Sequence, residues 1–345
     1  MVIFDVIFLQ GSSEQILVSF DHSLRHPGFE IPGTIGLYIA AAVVFIISVI
    51  TLIIFQHGKL REVNKILNEA RIALSTLELT KNELEIRNKN MTDSLNYAQR
   101  IQEAMLPSED YFRKHFRESF IFFMPRDIVS GDFYWLEEKG NKIFIVAADC
   151  TGHGVPGALM SVIGLEILNK AINEENIEDP SKILAVLNKA LEKTFNRQKN
   201  IGTIIRDGMD IGLCVVDREK RRIEYAGAFF SLYLIRDNSL LEIKGDKLII
   251  GMNPNGNPYT TQYIDLQEDD ILYIFSDGYV DQFGGTENKK FMYRRFRYLL
   301  MTIHKFPVED QKSILDENMR TWKGSNKQID DMMVIGFKPL SGIRN

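Results

Sequence analysis

Between residues 36 and 55 the chain runs GLYIAAAVVFIISVITLIIF without a single charge. An α-helix needs about 20 apolar residues to cross a hydrocarbon core of roughly 30 Å, so the run reads as a transmembrane helix; a buried core helix is the alternative at this length. Lys59, Arg61, Lys65 and Arg71 follow it, whereas only Arg25 lies close before it. Basic flanks stay on the cytoplasmic side, which predicts a single-pass protein of the cytoplasmic (inner) membrane with its N-terminus outside. Residues 1–35 form a short extracytoplasmic segment, too small for an independent sensor domain. Its start, MVIFDVIFLQ, carries Asp5 and lacks the basic region of a signal peptide.

Beyond the span, Leu, Glu, Lys, Asn and Arg dominate, with neither Pro nor Gly from Lys59 to Leu106. One uninterrupted helix over 56–106 follows, ended by Pro107. With position a at Leu60, the seam reads Leu60, Val63, Leu67, Ala70, Leu74, Leu77, Lys81, Leu84, Asn88, Met91, Leu95, Ala98, Gln102 and Met105. That is a heptad pattern, and a lone Asn or Lys at a favours a two-stranded parallel coil. A parallel homodimer is expected, a single amphipathic helix folded back on the next domain being the alternative. Lys81, Asn88 and Gln102 would weaken part of the coil enough for a change of register or rotation to pass along it.

Residues 107–340 are organised differently. Short β-rich runs at 120–123, 132–138, 142–149, 209–216, 222–225, 231–235, 270–275 and 332–337 alternate with helical patterns at 157–173, 180–194, 291–304 and 308–322. Consecutive strands mixed with helix pairs argue for an α+β layered sandwich. The formal net charge of −5 gives no reason to expect nucleic acid as a partner. Cys150 and Cys214 have neither metal-ligand spacing nor a disulfide framework, which fits a reducing compartment.

Chemistry gathers where strands end. IFIVAAD delivers Asp149 into CTGHGVPGA, a glycine-rich turn opening a helix, and LYIFSDGYVDQFGG places Asp277 and Gly278 after another apolar run. Asp132 in SGDFYW and Asp330 with Asp331 in QIDDMMVIGF bracket the domain. Carboxylates leaving strand ends into glycine turns suit hard divalent cations with oxygen ligands, and no His/Cys cluster suggests zinc. An isolated Asp-Gly is usually only a turn; the weight lies in the set.

In this order, SGDFYW, ADCTGHGVPGALMS, DGMDIGL, YAGA, FSDGYVDQFGG and QIDDMMVIGF resemble the SpoIIE-like branch of the PPM metal-dependent serine/threonine phosphatases, and YAQRIQEAMLPS resembles the helix leading into that domain. The resemblance implies an αββα sandwich and two divalent cations, Mn²⁺ or Mg²⁺. It makes Asp149 the bridging ligand, with the backbone carbonyl of Cys150 beside it. Asp277 and Asp330 would each bind one metal, Asp330 being preferred to Asp331 from motif position, and Asp132 would hold a metal or its water. His153 is divided between a general acid and a structural hydrogen bond, because two more residues separate it from Asp149 than in animal relatives. Gly152, Gly154 and Gly157 would let backbone approach the metals. After YAGA, Phe229 and Ser231 stand where many relatives carry Asn or His and then Pro, and Arg126 and Lys142 read as solvated surface charges.

The resemblance therefore implies hydrolysis of phosphoserine or phosphothreonine on a regulatory protein, often an anti-sigma-factor antagonist in this branch. Nucleotide cyclisation would need a base-recognition site that the sequence does not display. A tethered dimeric binding module without activity is the non-enzymatic alternative, opposed by the acidic residue at all four carboxylate positions.

Overall fold

The computed structural model describes residues 33–196 and 207–342, which divide into two units, 1–85 and 86–345. Residues 1–32, among them the expected extracytoplasmic segment with Asp5 and Arg25, lie outside the described residues. Helix α1 (Gly33–Met105) is continuous through the apolar run and the heptads, as the lack of helix breakers dictates. Its apolar stretch is long enough to cross a membrane, and Leu60, Leu67, Leu74, Leu77 and Leu84 are exposed along the single chain. Gln102, which already belongs to the second unit, departs from the seam reading: it is only 6% exposed.

Within that unit follow α2 (Glu109–His115), β1 (Ser119–Met124), β2 (Phe133–Lys139), β3 (Lys142–Cys150), α3 (Gly154–Asn169) and α4 (Pro180–Asn196). Next come β4 (Met209–Asp217), β5 (Arg222–Ala228), β6 (Ser231–Arg236), β7 (Ser239–Lys244), β8 (Gln262–Asp265) and β9 (Ile271–Phe275). The chain closes with α5 (Gly278–Asp281), β10 (Phe283–Gly284), β11 (Lys289–Lys290), α6 (Met292–Ile303), α7 (Val308–Lys323) and β12 (Met332–Phe337). A π-helical turn, Lys170–Glu174, extends α3.

Two five-stranded antiparallel sheets, ordered β1-β12-β9-β6-β7 and β2-β3-β4-β5-β8, carry the architecture. Period-two alternation assigns their faces. In β3, Ile143, Ile145 and Ala147 enter the core between the sheets, with Cys214, Leu232, Ile274 and Ile335. The intervening Phe144, Val146 and Ala148 pack with Leu165, Leu168, Leu184 and Leu187 of α3 and α4. Likewise Met333, Ile335 and Phe337 of β12 point between the sheets, while Met332 and Val334 join Phe296, Leu300 and Leu315 of α6 and α7. The layers run α, β, β, α, as the resemblance implied. The span Gly154–Glu174 is also apolar enough to pass as a membrane crossing, but its apolar face is spent on this core.

The β2–β3 hairpin turns at Gly140 and Asn141, with Gly140 supplying a φ of +60°. Cys150 and Cys214 are free and buried. Lys142 is not the solvated charge the sequence suggested: it is 18% exposed and lies 3.3 Å from both Glu178 and Glu224.

Candidate metal centre

Antiparallel pairing brings the acidic strand ends to one edge of the sandwich. Asp149, one residue before the end of β3, lies directly opposite Asp210, the second residue of β4. Met333 O accepts from Ser276 N–H at 3.1 Å, which sets the Asp277 turn beside the start of β12 and so beside Asp330 and Asp331. β2 opens at Phe133 opposite Ala148, one residue after Asp132.

Missing side chains let these ends close up. A Cβ on Gly157 would lie 2.3 Å from Gly152 O and 2.8 Å from Gly131 Cα, so the SGD loop and the TGHGVPG turn interlock only as glycines. The Cys150 carbonyl oxygen lies against the same Gly131. A Cβ on Gly278 would fall 1.9 Å from Asp331 O, the contact that seats the Asp277 turn on the Asp330–Asp331 segment.

Electrostatics register how close the carboxylates are. Asp132 is 2% exposed and its Oδ2 has no hydrogen-bond partner. Burial drives its pKa well above the carboxylate range; a Ser276 hydrogen bond opposes this, and the charges of Asp331, Asp330 and Asp277 reinforce it. Asp149 is also raised well above that range, by burial first and then by Asp132, Asp277, Asp330 and Asp210. Asp277 is pushed up to about 6 by lost hydration, then by Asp281 and Asp330, although part of its side chain still meets solvent. Asp210 is likewise raised to about 6, by burial and then by Asp277.

The two neighbours in QIDD differ. Both Asp331 oxygens are occupied, Oδ1 by Arg126 N–H at 2.6 Å and Oδ2 by Gly131 N–H at 2.7 Å. Asp330 is half-buried, accepts one backbone N–H from Asp331, and lies within reach of the His153 and Arg126 charges. Arg126 itself is exposed and donates to Ile329 O at 2.9 Å, so it belongs to the rim of this cluster. His153 precedes α3 without capping it; its Nδ1 lies 2.8 Å from Asp127 Oδ2.

Among the described residues, no three His, Cys, Asp or Glu side chains close into a ready metal cage. The donor set nevertheless fits a divalent cation: all-oxygen, anionic, mutually repelling, with an orphaned buried oxygen on Asp132. Sequence reading missed Asp210 and Asp127. Asp210 had a weak signal, an Asp at the head of a strand in DGMD; Asp127 had none, since its partner is 26 residues away.

A family model described as stage II sporulation protein E (SpoIIE) matches residues 139–339, more than half of the chain. The phosphoserine phosphatase RsbU of Bacillus subtilis (strain 168) is 27% identical over 161 residues, covering 45% of this chain and 44% of that relative, so the match spans less than half of its length. The SiaA-PP2C domain of Pseudomonas aeruginosa superposes with a TM-score of 0.66 at 32% identity, over 73% of this chain and 98% of that domain. The PP2C phosphatase domain of Bacillus subtilis SpoIIE, with a fragment of its regulatory domain, shares the fold at a TM-score of 0.51 and 16% identity, over 64% of this chain and 62% of that one. With the αββα layers, the acidic strand ends and these likenesses in agreement, the chain belongs to the SpoIIE family, the SpoIIE-like branch of PPM phosphatases.

Proposed function

We propose that this chain is a membrane-anchored, metal-dependent serine/threonine phosphatase of bacterial signalling. The observation that carries the reading is the convergence of Asp132, Asp149, Asp277 and Asp330 at one edge of the sandwich, each with its pKa raised in part by its neighbours. Asp149 would bridge two cations, Mn²⁺ or Mg²⁺, helped by the Cys150 carbonyl, while Asp277 and Asp330 hold one each and Asp132 supplies its free oxygen. When bound, such a pair supplies a more acidic water and neutralises charge building on the phosphoryl oxygens. The chain's own residues hold the carboxylates in place: Asp331 clamps the loop before Asp132, and Gly278 seats Asp277.

The substrate is a phosphoserine or phosphothreonine on a partner protein, an anti-sigma-factor antagonist being the candidate from the family resemblance. RsbU, named a phosphoserine phosphatase, supports that substrate chemistry. The apolar run of α1 supports the membrane anchor, with the N-terminus outside, and its heptads support a parallel homodimer. The test uses the full chain in detergent with a phosphoserine peptide, Mn²⁺ or EDTA, and Asp149→Asn. Hydrolysis that needs the cation and is lost in the variant establishes the reading. A folded, Mn²⁺-supplied chain without turnover on peptide or p-nitrophenyl phosphate sinks it in favour of a binding module.

A further inference from the structure

His153 stands at the N-terminal end of α3, where a polar side chain ordinarily caps the helix, yet it makes no capping hydrogen bond. Its imidazole turns instead to the loop before Asp132 and meets Asp127, Nδ1 to Oδ2 at 2.8 Å. A carboxylate only accepts, so this contact makes Nδ1 the donor and leaves Nε2 on the outer side of the ring. Both partners are about half exposed, at 45% and 44% of their side-chain surface. A pair this open contributes little to stability, so the fold has no evident need of it.

The loop that carries Asp127 is held at both ends. Asp331 accepts from Arg126 N–H at 2.6 Å and from Gly131 N–H at 2.7 Å, and the Arg126 guanidinium donates to Ile329 O at 2.9 Å. The partner side is fixed as well. Asp127 Oδ2 packs over Gly154, where a Cβ would lie 3.4 Å away and where the backbone takes a φ of +64°. The imidazole also lies within electrostatic reach of Asp330. Thus the segment that ends in Asp132 also presents the carboxylate that orients His153 at the rim of the cluster.

We propose that Asp127 is a positioning residue, which holds the His153 imidazole through Nδ1 so that Nε2 delivers a proton to the serine or threonine oxygen leaving phosphorus. The inference rests on the phosphatase reading above. In the step, the bond from water oxygen to phosphorus forms and the ester P–O bond breaks. The Nε2 proton passes to the departing side-chain oxygen, giving the free hydroxyl. The attacking water's protons leave with orthophosphate, and the neutral, exposed imidazole is reprotonated from solvent. Asp127 holds the Nδ1 side of the ring throughout. The arrangement matters for serine and threonine because an alkoxide is a poor leaving group, whereas p-nitrophenolate departs without a proton.

The test compares the two leaving groups on the full chain in detergent with Mn²⁺. Asp127→Asn and His153→Ala are each expected to lower kcat on a phosphoserine peptide by about 100-fold or more, within the range for one acid–base group. KM should stay nearly constant, and the loss on p-nitrophenyl phosphate should be at least about tenfold smaller than on the peptide. The double variant should be no worse than His153→Ala, because Asp127 acts through the imidazole. Asp127→Glu, which restores a carboxylate, should recover part of the loss. Equal losses on both substrates, or effects that multiply in the double variant, overturn the proposal. Wild-type turnover of both substrates with unchanged variants sinks the pair alone, whereas a wild type inert on both removes the phosphatase reading and the pair with it.

Discussion

At residue scale, Asp330 and Asp331 show how one peptide bond separates two kinds of work. Asp331 is 2% exposed and ties down two backbone N–H groups; Asp330 keeps a half-buried carboxylate beside Asp132 and Asp277. Asp331→Ala should therefore destabilise the domain, since it orphans two donors at about 1–3 kcal/mol each. Asp330→Asn should melt near the wild type and lose at least about 100-fold in Mn²⁺-dependent turnover. Melting curves run beside peptide assays would reverse the roles if Asp331 fell only in activity. The raised carboxyls give a pH prediction with a definite sign. Asp210 and Asp277 are pushed up to about 6 from 3.8, so their contribution to stability is complete below about 4 and is lost as pH rises through 6. In EDTA the chain should melt higher at pH 5 than at pH 7.5, and Mn²⁺ should restore most of the difference at pH 7.5 by replacing the protons. Tryptophan fluorescence melts would record it; a curve flat from pH 5 to 7.5 would show that neither burial nor the neighbouring carboxylates raise these groups. Asp149, Asp277 and Asp330 were legible because each sits at the edge of an apolar strand. Asp127 was not, because a pairing made by two loops leaves no local pattern.

At the scale of elements, the central strands and the edge strands β1 and β2 were read from their apolar runs, while the edge strands β7 and β8 escaped. β7, SLLEIK, and β8, QYID, are mostly exposed or half-buried and carry exposed charge at Lys244 and Asp265, which is how an edge avoids pairing with other chains. Helix α2 has seven residues, too few to display a period, although Ser108 announces it by accepting Tyr111 N–H at 3.1 Å. Gln102 is the instructive case, because its heptad position says seam and its hydrogen bonds say domain. Its Nε2 donates to Ser130 O at 2.6 Å and Ser161 Oγ at 2.8 Å, and its Oε1 accepts from Ser130 N–H at 3.0 Å. The last turns of α1 are thereby bonded to the residue before Gly131 and Asp132. Gln102→Leu should not tighten a coil but should leave the Ser130 peptide unpaired, a loss of about 1–3 kcal/mol. Amide exchange should quicken first at residues 129–132. Lys81→Leu, on an exposed turn of the same helix, should leave those amides unchanged; equal protection in both variants would separate α1 from the Asp132 loop.

For the whole molecule, the apolar surface of α1 raises the question of what covers it. Residues 36–55 would be covered by lipid in the proposed membrane anchor, but Leu60, Leu67, Leu74, Leu77 and Leu84 lie beyond that run and stand exposed on the single chain. Leaving five leucines in water forfeits roughly 1.5–3 kcal/mol apiece relative to burying them. In the proposed membrane-anchored dimer a second copy would meet the requirement with little further entropy, because both helices would share one plane and one direction. Leu74→Lys with Leu77→Lys places like charges in adjacent layers of the proposed coil, and in sedimentation experiments in detergent the wild type is expected to run as a dimer and this variant as a monomer. Asn88→Leu should act in the opposite sense, raising the coil's stability while loosening its register. Because Asp132, Asp149, Asp277 and Asp330 all come from one chain, the leucine-to-lysine monomer should retain its p-nitrophenyl phosphate turnover. Loss of turnover on monomerisation would mean that dimerisation itself orders the carboxylate cluster, and Gln102 would be the first residue to examine for that link.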